Sequence, residues 1–383
     1  VGYDKLEKNE QSLFLHIAFF FNNQAVDHLT TMLADSNIDV RNGLETLADK
    51  SLVHVSTSGW ITMHCLLQRL GREIVHEQSD DPGKRQFLEE AGEIHDVLAN
   101  NTGTGSVLGI SFDTSKVSEF SISGRAFEGM HNLRFLRIYG RYISALQISQ
   151  DMEYLPRLKL LQWNSYPRKS LPPTFQLERL VELHMPMSNL ERLWEGIKPL
   201  PNLKDINLGY SKNLIEIPDL SKATNLETLT LTSCTSLVEL PSTIKNLHKL
   251  KKLLMMGCEK LQAVPTNINL ASLEEVNMSD CLRLRSFPDI SISIKDLDIE
   301  NTKMEVHPSV VDCLPLLEWL RIGGRDLKRL THVPESVTHL DLSNSVIERL
   351  PYCIIGLPRL ESLFVYRCRQ LVSLLGLPTS LKY

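Results

Sequence analysis

Apolar side chains recur with a fixed spacing along most of this chain. Each unit follows the pattern L-x-x-L-x-L-x-x-N/C, in which alternate side chains are apolar, as in a strand with one buried face. Successive units start roughly 20 to 25 residues apart. The first apolar position of each unit is Leu133, Leu158, Leu180, Leu203, Leu226, Leu250, Leu273, Ile294, Leu317, Val337, Leu360 and Leu381.

A repeat of this length, with about eleven full units, is typical of leucine-rich repeats. Parallel strands of successive units stack edge to edge, so the array curves into a horseshoe whose concave side is a parallel sheet. Proline disfavours helix at the residue before it, which predicts extended or 3₁₀ segments on the convex side. The apolar-proline pairs that indicate this are Leu171-Pro172, Ile217-Pro218, Leu240-Pro241, Val264-Pro265, Phe287-Pro288, Leu350-Pro351 and Leu377-Pro378.

The pattern before the repeats is different. It predicts helices over 13–21, 26–35 and 40–50, then a hairpin of 52–55 and 60–63 around a glycine turn, then a helix over 64–77. Helices followed by a hairpin indicate a winged-helix domain, and a further helix is predicted over 84–98. The predicted fold class is α/β, with a small, mostly α winged-helix domain at 1–78, a helical linker at 79–105 and a leucine-rich-repeat solenoid at 106–383.

Composition fits two globular domains, with 383 residues, 42% hydrophobic and 23% charged. The net charge of −5 argues against nucleic acid as the main partner. Of the seven cysteines, four stand at the N/C position of a repeat, where we expect buried, reduced thiols that support the turn, and hence a reducing compartment. They are Cys234, Cys258, Cys281 and Cys368. No secretory leader is visible, and the apolar run at 13–21 is too short to span a bilayer.

Sequence patterns for catalysis or metal binding are missing. There is no C-x-x-C, H-E-x-x-H or G-x-S-x-G pattern, and no G-x-x-x-x-G-K-[ST] loop that would cradle nucleotide phosphates. Asp296 and Asp298 form a carboxylate pair on one predicted strand, whereas glycosidase chemistry needs two walls of a cleft. We expect a non-enzymatic protein without a metal site.

Four long segments of the chain are distinctive: Ser12-Leu-Phe-Leu-His-Ile-Ala18, Gly43-Leu-Glu-Thr-Leu-Ala-Asp-Lys-Ser-Leu52, Ile61-Thr-Met-His-Cys-Leu-Leu-Gln68 and Arg125-Ala-Phe-Glu-Gly-Met-His-Asn-Leu-Arg-Phe-Leu136. With these segments the sequence resembles plant intracellular immune receptors of the nucleotide-binding, leucine-rich-repeat kind, in the branch with a Toll-like N-terminal domain. The resemblance covers the whole chain. It implies the C-terminal part of such a disease resistance protein, located in the cytoplasm or the nucleus, without the Toll-like domain that carries catalysis in the family.

The resemblance also implies a link to ADP. In the family, a Met-His-Asp motif of the winged-helix domain holds ADP, and its histidine approaches the phosphate. Met63 and His64 match that motif, whereas Cys65 stands in place of the aspartate and puts an acid-dependent latch in doubt. We expect ADP binding only together with a nucleotide-binding segment. Considered without the family, His64 is a helix cap at a strand-to-helix junction.

Strand alternation predicts which side chains face the concave surface. An acidic block includes Asp280, Asp296, Asp298 and Glu300, and aromatic and arginine residues follow it: Trp319, Arg321, Phe364, Tyr366 and Arg367. Aromatic and arginine side chains dominate protein-interface hot spots. We therefore predict binding of a protein, either a pathogen effector or a guarded host protein, and also of the receptor's own nucleotide-binding domain in its resting state. The alternative is that the acidic block is only a solvated face.

The predicted function is non-catalytic recognition and autoinhibition within a plant immune receptor. A stand-alone truncated adaptor or decoy of the same family is an alternative, and so is an extracellular leucine-rich-repeat receptor domain, which would need a signal peptide and disulfide-paired caps. DNA binding by the winged helix is disfavoured because its last helix offers only Arg69 and Arg72 for phosphate contact.

Overall fold

A computed structural model describes residues 2–117, 120–140, 146–148, 152–265, 270–285, 291–303, 314–325 and 327–382. The chain divides into two compact units. The first consists of Val1–Trp163 with Thr174–Glu182, and the second of Asn164–Pro173 with Leu183–Tyr383.

The first unit begins with the predicted winged-helix domain. Helix α1 (Lys8–His16) continues into a π-helical turn (Ile17–Phe21), and α2 (Val26–Leu33), α3 (Val40–Asp49) and α4 (Cys65–His76) follow. The predicted hairpin, β2 (His54–Val55) and β3 (Trp60–Thr62), gains a third antiparallel strand, β1 (Gln24–Ala25), in the order β1-β3-β2. The helices and the small sheet confirm the predicted domain type.

The segment predicted to be a helical linker is partly a strand. A 3₁₀ turn at Pro82–Lys84 leads to β4 (Phe87–Leu88), and only then does helix α5 (Ala91–Asn100) begin. The prediction of helix over 84–98 was therefore wrong at its start. The physical reason is tertiary: Phe87 and Leu88 are both buried, and β4 pairs in parallel with β5 (Gly109–Asp113).

The first strands of the repeat array belong to the same unit. β4, β5, β7 (Phe135–Tyr139) and β9 (Leu160–Trp163) form a parallel sheet, and β6 (Phe120–Ile122) pairs with β8 (Leu146–Ile148). The unit that contains the helices thus continues well past residue 105. The predicted domain division at that residue stays a prediction.

Aromatic side chains join the helices to this sheet within one core. Phe20 lies 5.4 Å from Phe135 and 5.9 Å from Phe87, measured between ring centroids. The His16 ring stands edge-on to Phe87 at 5.1 Å, and its Nδ1 lies 2.8 Å from the carbonyl oxygen of Ser12. Burial lowers the pKa of His16 to about 4, so the ring is neutral at physiological pH and behaves as part of the core.

The second unit confirms the leucine-rich-repeat array. From β11 to β18 each strand pairs in parallel with the next, and the middle residue is buried in every strand except β18. These strands follow β10 (Glu182–His184) and are β11 (Asp205–Asn207), β12 (Thr228–Thr230), β13 (Lys252–Leu254), β14 (Glu275–Asn277), β15 (Asp296–Asp298), β16 (Trp319–Arg321), β17 (His339–Asp341) and β18 (Ser362–Phe364).

Short helical segments follow two of the prolines. A 3₁₀ segment (Ser242–Asn246) follows Pro241, as predicted, and a single α-helical turn, α6 (Tyr352–Ile355), follows Pro351. The predicted Phe287-Pro288 pair lies outside the described residues. No helix in the described ranges combines the length and the apolar character that crossing a membrane requires.

Three of the four cysteines at the N/C position form the predicted buried ladder, whereas Cys368 is only partly buried, although its thiol also donates to the carbonyl of Leu342 at 3.2 Å. The Cys234 thiol donates to the carbonyl of Leu208 at 3.3 Å, and the Cys258 thiol donates to that of Leu231 at 3.1 Å. Cys281 makes the same contact to the preceding repeat, and burial raises the pKa of all three thiols to about 12. They are protonated hydrogen-bond donors that tie neighbouring repeats together.

The residue before the N/C position turns the chain out of each strand. In eight repeats it is a non-glycine residue with φ between 54° and 64°, in the left-handed region that glycine adopts most readily. These residues are Ser165, Met187, Tyr210, Ser233, Asp280, Asn301, Asn344 and Arg367, and the equivalent positions in two further repeats are Gly257 and Gly324. We call the border of the repeats that this column forms the turn edge.

Candidate functional site

Parallel register aligns the first and the third side chains of each strand of the second unit in two rows. The first strand position contributes Lys252, Glu275, Asp296, Trp319, His339 and Ser362. The third position contributes Leu254, Asn277, Asp298, Arg321, Asp341 and Phe364. We call these two rows the strand face. Most of the predicted partner-binding residues lie in it.

The acidic block is partly neutralised along these rows. Glu275 forms an ion pair with Lys252 at 2.5 Å, and Arg321 Nη1 donates to Asp296 Oδ1 at 2.7 Å. Two asparagines of the turn edge pair with two further acids: Asn301 donates to Asp280, and Asn344 donates to Glu300. The block is therefore a cross-repeat ladder of paired groups and not a row of isolated charges.

Asp298 lies on the strand face, as alternation predicts, but only 8% of it is exposed. It accepts hydrogen bonds from Asn277 Nδ2 at 3.3 Å and from the Glu300 backbone N–H at 3.1 Å. Burial raises its pKa to about 6, although the Glu300 amide and the nearby Arg321 oppose that shift. The prediction that Asp298 is an exposed partner contact was therefore wrong. Its side chain is buried between Asn277 and Arg321, its neighbours in the same row.

Trp319, Arg321 and His339 form a compact group that we call the Trp319 cluster. The Trp319 and His339 rings are stacked, with centroids 3.8 Å apart and planes 9° from parallel. The Arg321 guanidinium carbon lies 5.2 Å from the Trp319 ring, in cation–π range, while its Nη1 is held by Asp296. Contacts on several sides fix these partly exposed side chains before any partner binds.

The last complete repeat adds exposed aromatic surface beside that cluster. Phe364 is 44% exposed and Tyr366 is 68% exposed. The guanidinium of Arg367 lies 5.0 Å from the Tyr366 ring, and its left-handed backbone places it on the turn edge, as it does for Asp280. The aromatic and arginine residues predicted from sequence therefore meet at one end of the strand face.

The three residues predicted near ADP separate into two environments. Met63 is a core residue whose backbone N–H donates to Asn22 Oδ1 at 2.7 Å. His64 is exposed and caps helix α4, because its Nδ1 accepts the Leu66 N–H at 3.2 Å. That bond assigns the ring proton to Nε2, a donor on the solvent side. Cys65 is exposed beside it.

Within the described ranges, no group of three or more histidine, cysteine, aspartate or glutamate side chains is placed so that it could hold a metal ion.

Two protein families match segments of this chain. Residues 7–79 match the family described as disease resistance protein Roq1-like, winged-helix domain, and residues 179–198 match the leucine-rich-repeat family. Among solved structures, the chain is similar to a leucine-rich-repeat protein of Leptospira interrogans. The match covers 68% of this chain and 78% of that protein, with a TM-score of 0.36 and 18% sequence identity.

Full-length relatives extend the match beyond the winged helix. Disease resistance protein RML1A of Arabidopsis thaliana is 50% identical over 373 residues, which is 96% of this chain and 37% of the relative. Disease resistance protein RPS6 of the same plant is 43% identical over 98% of this chain and 34% of its own length. The chain thus spans less than two fifths of the relatives it matches, and it belongs to the plant disease resistance protein family that joins a Roq1-like winged-helix domain to leucine-rich repeats.

Proposed function

We propose that this chain is the recognition part of a plant immune receptor and that it captures a protein on the strand face between β14 and β18. The observation that carries the proposal is the Trp319 cluster beside exposed Phe364 and Tyr366. The naming of its relatives as disease resistance proteins supports the biological setting.

The chemistry of this surface suits a protein partner. Interface hot spots are enriched in tryptophan, tyrosine and arginine at the centre, with polar groups around them that exclude water. Here the aromatic residues are bordered by the paired acids and asparagines of the ladder. Because the Trp319 cluster is already packed, less side-chain entropy is lost on binding.

We base the location, the receptor type and the partner on the relatives and on the resemblance to plant intracellular immune receptors. We place the chain inside the plant cell, as the non-catalytic sensor of a receptor with nucleotide-binding and Toll-like domains, and we assign a pathogen effector or a guarded host protein as its partner. In the resting receptor the same face would hold the nucleotide-binding domain, which gives the autoinhibitory role.

Site-specific photo-crosslinking tests the position of the partner. A photoreactive phenylalanine analogue replaces Phe364 in the test variant and Tyr352 in the control variant. Tyr352 is a 90% exposed aromatic residue of α6, outside the strand face. Expressed in plant tissue, the Phe364 variant is expected to give a discrete protein adduct that the Tyr352 variant lacks. Equal adducts at both positions, or none at Phe364, would contradict the assignment of this face.

We also propose that His64 contributes to a nucleotide latch. Its Nδ1 is occupied by the helix cap, so the protonated Nε2 on the exposed side can donate to a phosphate held by the nucleotide-binding segment. The positive end of the 12-residue helix α4 favours an anion at the same place. Of the matched motif, only His64 supplies such a donor here.

The variant His64→Asp separates the cap from the latch. Aspartate is a strong N-cap and should keep α4 stable, but its charge repels a phosphate. With the nucleotide-binding segment added in trans, we expect ADP to dissociate about tenfold faster from the variant, at an unchanged melting temperature. ADP retention equal to that of the unmodified chain would overturn the latch.

A further inference from the structure

The turn edge of the second unit carries three neighbouring hollows that share lining residues. One of about 580 Å³ is lined by Arg283, Arg285 and Lys303, with Gln262 and Leu282. The next, about 670 Å³, shares Lys303 and extends to Lys328, Arg329 and His332. A third, about 640 Å³, shares Asn301 with the second. It is lined by Arg325, Asn344, Ser345, Val346, Arg367, Arg369 and Gln370.

Among the described residues that line these hollows, the charged side chains are all basic. Eight exposed basic residues line them, and no described lining residue is acidic. We call these eight residues the basic strip: Arg283, Arg285, Lys303, Lys328, Arg329, Arg325, Arg367 and Arg369. None of them forms an ion pair with another described residue. Asp289, Glu305, Asp312 and Asp326 belong to the intervening segments and lie outside the described residues.

Concentrated positive charge is unusual in a chain whose net charge is −5. The strand face of the same repeats pairs its charges: Lys252 with Glu275, and Arg321 with Asp296. Along the turn edge the guanidinium and ammonium groups have no such partners among the described residues, so a bound anion would offset their mutual repulsion. The strip therefore fits an anionic ligand.

We propose that the basic strip binds an extended acidic polypeptide segment of a partner protein. The strip follows the repeats of β14 to β18, and neighbouring strands lie about 4.8 Å apart, which gives a length of about 20 Å. About six residues of extended chain cover that distance. Arginines can receive glutamate and aspartate side chains through paired hydrogen bonds.

A polypeptide fits better than a single-stranded nucleic acid. Surfaces that bind single strands combine basic groups with aromatic rings on which successive bases stack. No phenylalanine, tyrosine or tryptophan is among the described residues that line the three hollows. The described lining between the cations consists of amide and hydroxyl groups and aliphatic side chains, which suit a peptide backbone.

Fluorescence anisotropy of a labelled oligoglutamate of about eight residues tests the proposal on the complete 383-residue chain. The test variant is R325E/R369E, whose two arginines lie in the third hollow. The matched control R41E/K116E changes the net charge equally, at two exposed residues of the first unit. We expect R325E/R369E to weaken peptide binding at least about tenfold and to flatten its salt dependence, while the control changes it less than about twofold.

The proposal is overturned if both variants lose affinity equally, because attraction would then follow net charge alone. It is also overturned if an oligothymidylate of equal charge binds more tightly than oligoglutamate and R325E/R369E removes that binding. The inference is independent of the strand-face proposal, since neither variant alters the Trp319 cluster, Phe364 or Tyr366.

Discussion

Alanine at Trp319, Phe364 and Tyr366 together is expected to raise the dissociation constant for the captured protein about a hundredfold or more, measured by calorimetry or surface plasmon resonance. Trp319 supports both the His339 ring and the Arg321 guanidinium, so its loss removes three contact groups at once. Phe364 and Tyr366 are the exposed aromatic residues beside it, and their truncation removes apolar area from the centre of the surface.

A matched triple variant distinguishes loss of the site from a general loss of apolar surface. Alanine at Tyr352, Val372 and Leu375 truncates side chains that are 90%, 83% and 79% exposed and that lie outside the strand face. This control is expected to bind normally. Trp319→Phe, which keeps an aromatic ring against His339, is expected to retain most of the affinity. Normal binding by the variant with alanine at Trp319, Phe364 and Tyr366 would contradict binding through the strand face.

Arg85→Ala is expected to lower the free energy of unfolding of the first unit by about 2 to 3 kcal/mol. Only 4% of Arg85 is exposed. Its Nη1 donates to both carboxylate oxygens of Glu93, at 2.9 and 2.8 Å, and its Nε donates to the Ser79 carbonyl at 2.7 Å. Truncation leaves these acceptors without their donor and opens a gap between the 3₁₀ turn and α5.

The neighbouring residue provides the control. Lys84 carries the same charge, but its side chain is 61% exposed, and its ion pair with Asp81 lies at the surface. Lys84→Ala is expected to cost less than about 0.5 kcal/mol. Urea denaturation followed by tryptophan fluorescence measures both variants. If the two costs are equal, Arg85 does not tie the segment between the winged helix and the repeats into the folded unit.

Periodicity was sufficient to predict the architecture. A 20-to-25-residue apolar repeat can bury its leucines only by stacking, which is why the parallel strands, their alternation and the thiol ladder could all be predicted. The winged helix was recognisable from the hairpin around Gly59, whose φ is 76°. In each case a local residue pattern determines the local structure.

Features that depend on contacts with neighbouring repeats could not be predicted from the sequence. Phe87 and Leu88 form a strand because β5 lies beside them, and no local signal separates that run from a helix. Asp298 is buried by its row neighbours, and Trp319 stacks on His339 through a register that the sequence does not reveal. The turn edge was missed because most of its residues are not glycine, although Asn301 and Asn344 tolerate left-handed backbone well.

Amide hydrogen exchange of the chain, alone and with the crosslinked partner added as a purified protein, tests the strand-face assignment most directly. The predicted result is slowed exchange confined to the strands that carry the site and the turns after them, at 319–321, 339–341 and 362–367. Slowed exchange that spares these strands and appears instead in the winged-helix domain or on the convex side, around 352–355, would contradict recognition through the strand face.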